Sequence, residues 1–221
     1  MSRIEAIVSD FGGVLTTPLL DAFVGLQARH GIPPETFGAA LVRAAADNGG
    51  ANPLFELETG RLTEVLFLEQ LGAALRAELG RDVDLARFGE TFFEHLRPND
   101  ELFTFMRTLH ERGYRMAILT NNVREWEPLW RSMLPIDELF ELVVDSGFEG
   151  VRKPDPRIYE VTLERLGVAA EATLFVDDME VNCEAARALG MQAVWFRSNA
   201  QAIGEIEQTL GQFSEPSRSQ Q

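Results

Sequence analysis

The chain has a single cysteine, Cys183, so it can form no intramolecular disulfide and no cysteine-rich metal cluster. It has no apolar run near the roughly 18–20 residues that span a bilayer. The N-terminal stretch MSRIEAIVSD becomes acidic before the core of a signal peptide could form. These absences predict a cytoplasmic protein that has no leader and is not embedded in a membrane.

Basic residues are also scarce. The chain has 20 Lys and Arg against 35 Asp and Glu, which gives a formal net charge of −15. Such a charge argues against nucleic acid and anionic membranes as partners. Among the basic residues only Lys153 is a lysine. A lone lysine in an arginine-rich background weakly indicates a site that needs a compact ammonium charge, and a chance surface lysine is the alternative.

Hydrophobic residues are plentiful, at 45% of 221 residues, which suffices for one large or two modest domains with a packed core. Short apolar runs, rich in β-branched or aromatic residues, predict five buried strands, and amphipathic stretches between them predict helices. Strands that alternate with helices indicate an α/β fold with a Rossmann-like parallel sheet. The predicted strands cover residues 4–8, 116–119, 142–144, 173–176 and 193–196.

The first two predicted strands are separated by about 100 residues, whereas a crossover between parallel strands needs only a dozen or more. Helical spacing of apolar residues predicts helices in this gap at residues 19–30, 35–47, 63–79 and 84–96, with turns at 48–53 and 80–83. We therefore predict a helical-bundle cap over residues 17–96, inserted into an α/β core of residues 1–16 and 97–213. Residues 214–221 have little to bury and predict a disordered tail.

Polar residues follow four of the predicted strands: Asp10, Thr120, the pair Asp145 and Ser146, and the pair Asp177 and Asp178. Any one of them could be an ordinary loop residue, but open parallel sheets bind ligands at this edge. Carboxylates gathered there would repel one another unless a cation lay among them. Ligands that offer only oxygen suit a hard ion, so the pattern predicts a Mg²⁺ site.

Four short motifs occur in order along the chain, each near the end of a strand or in the loop after one. They are DFGGVL at residues 10–15, ILTN at 118–121, KPDP at 153–156, and FVDD at 175–178 followed by Asn182. Together they resemble the haloacid dehalogenase (HAD) superfamily of hydrolases over about residues 4–200. The helical insert resembles the cap of that superfamily's first subclass, closest to its sugar-phosphatase-like and epoxide-hydrolase N-domain-like branch.

The resemblance implies a Mg²⁺-dependent phosphatase that acts on a small phosphorylated metabolite, such as a sugar phosphate. Asp10 would be the nucleophile and would form an aspartyl-phosphate. Thr120 and Lys153 would hold the oxygens of the transferred phosphoryl group. Mg²⁺ would be bound by the Asp10 carboxylate, the Gly12 carbonyl and Asp178, with Asp177 and Asn182 at or beside the metal. The substrate-binding residues would be Phe11, Gly12, Asn121, Glu58 and Arg61.

One position departs from the pattern of the family's phosphatases, which carry a second aspartate two residues after the nucleophile. This chain has Gly12 there, so the usual general acid, worth about 10²–10⁴-fold in rate, is missing. Cap residues that could replace it are Glu58, Arg61 and His95. Each also has an ordinary structural interpretation, as a turn residue or a residue near a helix end. Otherwise the leaving group needs little help, or turnover is slow.

Two other functions stay open at this stage. A metal-independent 2-haloacid dehalogenase would use the same aspartate to attack carbon, but the pair Asp177 and Asp178 argues against it, because such enzymes lack the metal-binding carboxylates. A catalytically weakened module that binds phosphate or a partner is the other alternative. The sequence leaves the substrate and the oligomeric state undetermined, a homodimer included.

Overall fold

A computed structural model describes residues 3–212, and it contains one parallel sheet of five strands. The strands are β1 (Ala6–Ser9), β2 (Arg115–Thr120), β3 (Leu142–Asp145), β4 (Thr173–Asp177) and β5 (Gln192–Trp195). Their order across the sheet is β3-β2-β1-β4-β5. Each predicted strand lies within two residues of an observed one, and the predicted α/β class is confirmed. The predicted tail lies outside the described residues.

The long connection from β1 to β2 is helical, as predicted. It holds α1 (Leu20–His30), α2 (Pro34–Asp47), α3 (Pro53–Glu58), α4 (Glu64–Leu79) and α5 (Phe88–Glu94). The prediction of a helix over residues 84–96 was too long, because Arg87 adopts a left-handed conformation with φ 58°, which interrupts a right-handed helix. The short α3 was not predicted. It begins at Pro53, and the Asn52 side chain caps it by accepting a hydrogen bond from the Leu54 amide at 3.0 Å.

The rest of the chain supplies helices to both faces of the sheet: α6 (Asp100–Glu111), α7 (Glu127–Arg131), α8 (Ile136–Leu139), α9 (Ser146–Glu149), α10 (Pro156–Leu166), α11 (Glu180–Ala188) and α12 (Asn199–Gln212). Strand residues alternate between two buried clusters. Ile7 and Ile118 pack in the cluster that includes residues of α6 and α12. Val8 and Leu119 pack in the cluster that includes residues of α10 and α11. Because both faces are covered, the strands are continuous apolar runs.

The inserted helices α1 to α5 have a hydrophobic cluster of their own, which includes Phe37, Phe67 and Phe88. Val123 and Trp126, from the segment after β2, complete this cluster. The chain leaves and re-enters the core through paired backbone: the Thr17 amide donates to the Arg97 carbonyl at 2.8 Å, and the Asn99 amide donates to the Leu15 carbonyl at 2.9 Å. We propose on this basis that the core and the cap divide where the sequence suggested, near residues 16 and 97.

The strand order places β1 in the middle of the sheet, where Ser9 lies level with Ile118 of β2 and Val176 of β4. The carboxyl ends of these three strands therefore meet at one edge, which brings Asp10, Thr120 and Asp177 together. Among residues 3–212, no helix combines the length and the apolar character needed to cross a membrane.

Candidate active site

Asp10, directly after β1, is the central carboxylate of the site, and its residue is only 7% exposed. Its Oδ1 accepts a hydrogen bond from the Phe11 amide at 2.7 Å and pairs with Lys153 Nζ at 2.9 Å. Its Oδ2 accepts no hydrogen bond from any residue that the structure describes, and Asp10 lines the main cavity. One oxygen is thus fixed, and the other is left for a reaction partner.

Lys153 lies beneath Asp10 and is 1% exposed. Its Nζ contacts Asp10 Oδ1 at 2.9 Å and donates to Asp177 Oδ2 at 2.7 Å and to the Leu119 carbonyl at 2.8 Å. An ammonium has three protons to donate, so these contacts use all of them. Burial favours the neutral amine, but the charges of Asp10 and Asp177 outweigh it and raise the pKa of Lys153. The lone lysine of the chain is therefore a buried ion-pair partner.

Asp177 ends β4 and is fully buried. Its Oδ1 accepts hydrogen bonds from the Met179 amide at 2.8 Å and from Asn182 Nδ2 at 2.9 Å, while its Oδ2 is bound by Lys153. Both oxygens have partners within the protein, so Asp177 positions Lys153. The neighbouring Asp178 differs, since within residues 3–212 its side chain accepts no hydrogen bond from another residue.

The three aspartates form a group that could hold a metal ion, because Asp10, Asp177 and Asp178 each offer an oxygen within 4.8 Å of the others. With Lys153 as counter-charge, this group keeps two negative charges in excess. Burial raises the pKa of Asp10 to about 7 although Lys153 opposes the shift, and burial together with the charge of Asp177 raises the pKa of Asp178 to about 6. A divalent cation would offset the repulsion between these negative charges, and oxygen ligands suit a hard ion.

The loop after Asp10 packs tightly against Asp178. Gly13 has φ +76°, and a Cβ added there would overlap the Oδ2 atom of Asp178. Only glycine allows this combination of backbone angle and close approach. The loop after Asp10 and the carboxylates of Asp10 and Asp178 therefore form what we call the cradle. These residues fit a bound cation.

Thr120 ends β2, Asn121 follows it directly, and both residues line the cavity. The Asn121 side chain is already used: its Nδ2 donates to the Lys153 carbonyl at 3.1 Å, and its Oδ1 accepts from the Lys153 amide at 2.8 Å. Asn121 therefore holds the backbone of Lys153 in place. The Thr120 hydroxyl makes no hydrogen bond to the part of the chain that is described, so it is available to a ligand.

The cavity above these residues has a volume of about 510 Å³ and lies between the sheet edge and the inserted helices. Phe11, Gly12 and Glu58, predicted to bind substrate, all line it. Glu58 reaches it from α3, and its Oε2 accepts from Arg152 Nε at 2.7 Å. Burial raises the pKa of Glu58 although Arg152 opposes the shift. Sequence reasoning missed Arg152, which also lines the cavity; its position directly before Lys153 was the available signal.

Three polar residues named from the sequence lie elsewhere. Arg61 does not line the cavity, because its guanidinium binds the Gly150 carbonyl at 3.0 Å and Glu56 at 3.1 Å. His95 is exposed, and its Nδ1 lies 3.0 Å from the Thr91 carbonyl. Asp145 ends β3, two strands away from β1, and its side chain accepts from the Gly147 amide at 2.8 Å. Neighbouring strands are about 4.8 Å apart, so Asp145 cannot join the aspartate group.

The family is decided by comparison with known proteins, since a model of the haloacid dehalogenase-like hydrolases matches residues 4–190. The chain belongs to this family. HAD-like hydrolases are enzymes, and the buried aspartate group of this member could hold a metal ion.

Several curated relatives are similar to this HAD-like hydrolase. Acyl-CoA dehydrogenase family member 10 of Mus musculus is 29% identical over 94% of this chain, and the match spans 19% of that protein. Glyceraldehyde 3-phosphate phosphatase of Pyrococcus abyssi is 38% identical over 50% of this chain and 47% of its own length. Sesquiterpene phosphatase astK of Aspergillus oryzae is 27% identical over 94% of this chain and 97% of its own length. The chain thus spans less than half of the first two relatives.

Solved structures show the same fold. A HAD family enzyme of Bacteroides thetaiotaomicron, in complex with magnesium and inorganic phosphate, aligns with a TM-score of 0.65 at 20% identity, over 89% of this chain and 96% of that one. The L-2-haloacid dehalogenase of Xanthobacter autotrophicus aligns with a TM-score of 0.63 at 19% identity, over 93% and 83%. Because the two scores are nearly equal, the fold does not separate a phosphatase from a dehalogenase, and the site residues must.

The cradle around Asp178 gives a first test. We expect Gly13→Ala to weaken Mg²⁺ binding, because the new methyl group would displace the Asp178 carboxylate. Gly150→Ala is the matched control, since Gly150 has a similar φ of +74° with nothing within 4 Å of an added Cβ. Both variants should lose about 1–2 kcal/mol of folding stability from the left-handed backbone. Denaturant unfolding and Mg²⁺ titration calorimetry check this, and equal Mg²⁺ affinity in the two variants would contradict it.

The raised pKa values predict how the effect of metal depends on pH. The folded metal-free protein keeps protons on Asp10 and Asp178 that the unfolded chain releases near the ordinary value of 3.8, so the contribution of these two groups to stability falls as the pH rises from 3.8 to about 7. Mg²⁺ binds the ionised carboxylates. It should therefore raise the melting temperature more above the pKa of Asp10 than well below that of Asp178.

Asp178→Asn is the control for this effect. Removing one of the clustered charges should make the metal-free protein less sensitive to rising pH and should also reduce the stabilisation by Mg²⁺. Thermal melts with Mg²⁺ or EDTA across this pH range measure both quantities. The same Mg²⁺-induced shift at every pH would refute the assignment of the metal to these carboxylates.

Proposed function

We propose that this HAD-like hydrolase is a Mg²⁺-dependent phosphatase that hydrolyses phosphate monoesters of small molecules through a phosphorylated Asp10. The observation that carries the proposal is the arrangement of Asp10: one oxygen is held by Lys153 and the Phe11 amide, the other accepts no hydrogen bond from the described residues, and the carboxylate offers an oxygen within 4.8 Å of one of Asp178. The names of two relatives, a glyceraldehyde 3-phosphate phosphatase and a sesquiterpene phosphatase, support the same reaction class.

In the proposed reaction, Asp10 Oδ2 attacks phosphorus while the bond from phosphorus to the ester oxygen breaks, and the departing alcohol takes up a proton. Water then attacks the aspartyl-phosphate, which releases inorganic phosphate and restores the carboxylate. Lys153 orients Asp10 and favours its ionised form, and the free hydroxyl of Thr120 binds a phosphoryl oxygen. Mg²⁺ would be held by Asp10, the Gly12 carbonyl and Asp178, and when bound it supplies positive charge that offsets the negative charge of the phosphate.

The proton for the departing alcohol needs a source other than position 12. Glu58 is the carboxylic acid that the inserted helices contribute to the cavity lining. Burial raises its pKa although Arg152 opposes the shift, so a neutral Glu58 is less costly here than in water. We propose Glu58 as the proton donor, held by its contact with Arg152.

The reaction class is tested with purified protein on phosphate monoesters and on 2-chloropropionate, each with Mg²⁺ and with EDTA. We expect phosphate release that stops in EDTA and in Asp10→Asn, and Mg²⁺-dependent trapping of beryllium fluoride at Asp10. Chloride release that persists in EDTA would instead establish a dehalogenase. Binding of phosphate without turnover or trapping would establish a module that has lost catalysis.

The missing acid at position 12 gives a second prediction. A Cβ at Gly12 would lie 3.1 Å from Leu19 Cδ2, and the end of the leucine can move aside, so the backbone can accept a side chain here. We expect Gly12→Asp to raise kcat on an alkyl phosphate, by up to about 10²-fold if protonation limits the rate. The gain should be smaller on p-nitrophenyl phosphate, whose departing phenolate needs no proton.

Gly12→Asn is the matched control, because its side chain has the same shape and carries no transferable proton. It should leave the rate on alkyl phosphate unchanged or lower. An equal rate increase in both variants, or no increase in folded Gly12→Asp, would show that protonation of the leaving group does not limit turnover.

A further inference from the structure

The wall of the active-site cavity away from Asp10 is apolar. Within the described residues, the inserted helices and the segment after β2 line this part with aromatic side chains: Phe23 and Phe92, which are partly exposed, and Phe37, Phe67, Phe88 and Trp126, which are buried. Several of these rings contact one another; Phe92, for example, stacks on Trp126 with centroids 5.4 Å apart. The cavity volume of about 510 Å³ is in the range that encloses a molecule much larger than a phosphate group.

Most of the polar side chains that line the cavity near the phosphate site, Thr120 excepted, already make hydrogen bonds within the protein. Asn121 binds the backbone of Lys153, and Asn182 Nδ2 donates to Asp177 Oδ1 at 2.9 Å. Asn122 Oδ1 accepts from the Val123 amide at 2.9 Å, and Glu58 pairs with Arg152. A sugar bound here would find few free partners for its hydroxyl groups, and buried hydroxyls without hydrogen bonds are disfavoured.

The apolar lining continues to the surface. Leu19, Phe55, Met179 and Val181 all line the cavity, and each is between 38% and 54% exposed. They come from the loop after β1, from α3 and from the start of α11, so three separate segments place exposed apolar side chains around one opening. A concentration of exposed apolar surface at a cavity is typical of a binding site.

We propose that the substrate is the phosphate monoester of an extended apolar alcohol, such as an alkyl or prenyl chain. This inference rests on the proposed phosphatase function and deepens it, and it replaces the sugar phosphate that the sequence suggested. The phosphate lies at Asp10, and the chain lies along the wall formed by Phe23, Phe92 and Trp126. Water is consumed, and the free apolar alcohol and inorganic phosphate are released.

The first experiment measures kcat/KM with Mg²⁺ for ethyl, butyl, hexyl, octyl and decyl phosphates, below the concentrations at which they form micelles. Burial of a methylene favours binding by up to about fourfold, so kcat/KM should rise with each added group until the chain fills the cavity. Farnesyl phosphate tests a branched chain. Glucose 6-phosphate and glyceraldehyde 3-phosphate are the polar substrates for comparison. Higher kcat/KM on farnesyl than on decyl phosphate would identify a prenyl chain, and the reverse a linear one.

A pair of variants tests whether the dependence of kcat/KM on chain length comes from the apolar lining of the cavity. Leu54 lines the cavity and is partly buried, whereas Val65 is 66% exposed and does not line it. Each is the second residue of its helix, α3 or α4, so the two backbones are comparable hosts for aspartate. Leu54→Asp should lower the ratio of kcat/KM on octyl to that on ethyl phosphate by about tenfold or more, because the chain would bury a charge. Val65→Asp should leave the ratio unchanged, with circular dichroism confirming that both fold.

The outcomes separate this inference from the proposed function. Hydrolysis of the polar phosphates with no dependence on chain length would overturn the inference and leave the phosphatase assignment in place. No hydrolysis of any ester would overturn the phosphatase assignment. In that case calorimetry with ethyl and decyl phosphonates still decides the inference, since tighter binding of the decyl compound supports it and equal binding overturns it.

Discussion

The buried ion pairs of Lys153 are the interaction on which the active site depends. One ammonium joins Asp10, directly after β1, Asp177 at the end of β4 and the Leu119 carbonyl near the end of β2, so three neighbouring strand ends are fixed by a single side chain. Breaking a buried pair by removing one partner is costly, because a charge is then left without compensation. Asn121 binds the backbone of Lys153, and Asn182 binds the carboxylate of Asp177. The geometry of Asp10 is therefore set by the fold without a ligand.

The loop that follows Asp10 connects this charged centre to the inserted helices. Within a few residues the chain passes from Asp10 through Gly13, which packs on Asp178, to Thr16, which bridges Pro98 where the chain returns to the core. The helices that follow then form the apolar wall. Trp126, from the segment after β2, contacts these helices, and its Nε1 donates to Glu64 Oε1 of α4 at 2.7 Å. The loop after Asp10 thus leads directly from the charged end of the cavity to the helices that line its apolar end.

The sequence was sufficient to predict the site residues that lie at strand ends. It was not sufficient to predict features that depend on the order of the strands in the sheet or on whether a buried side chain faces the core or a cavity. Asp10, Thr120 and Asp177 could be grouped because each follows an apolar run, and the motifs supplied the rest of the group. Asp145 also follows such a run, yet the sheet places β3 two strands from β1, and the run itself does not encode that order. The apolar wall of the cavity could not be predicted from the sequence for a similar reason. Phe37 and Phe88 show the same helical spacing whether they face a packed core or a cavity.

Desolvation links the apolar cavity to Glu58, the proton donor that we propose. Alkyl alcohols leave as strongly basic alkoxides, so a phosphatase that accepts them without an acid at Gly12 needs a neutral acid elsewhere. Burial already raises the pKa of Glu58 against the opposing charge of Arg152. A chain bound along the aromatic wall would displace water from this carboxyl and push its pKa higher. A sugar would bring hydroxyl groups that stabilise the ionised form. The apolar substrate would therefore help to protonate the group that its own departure requires.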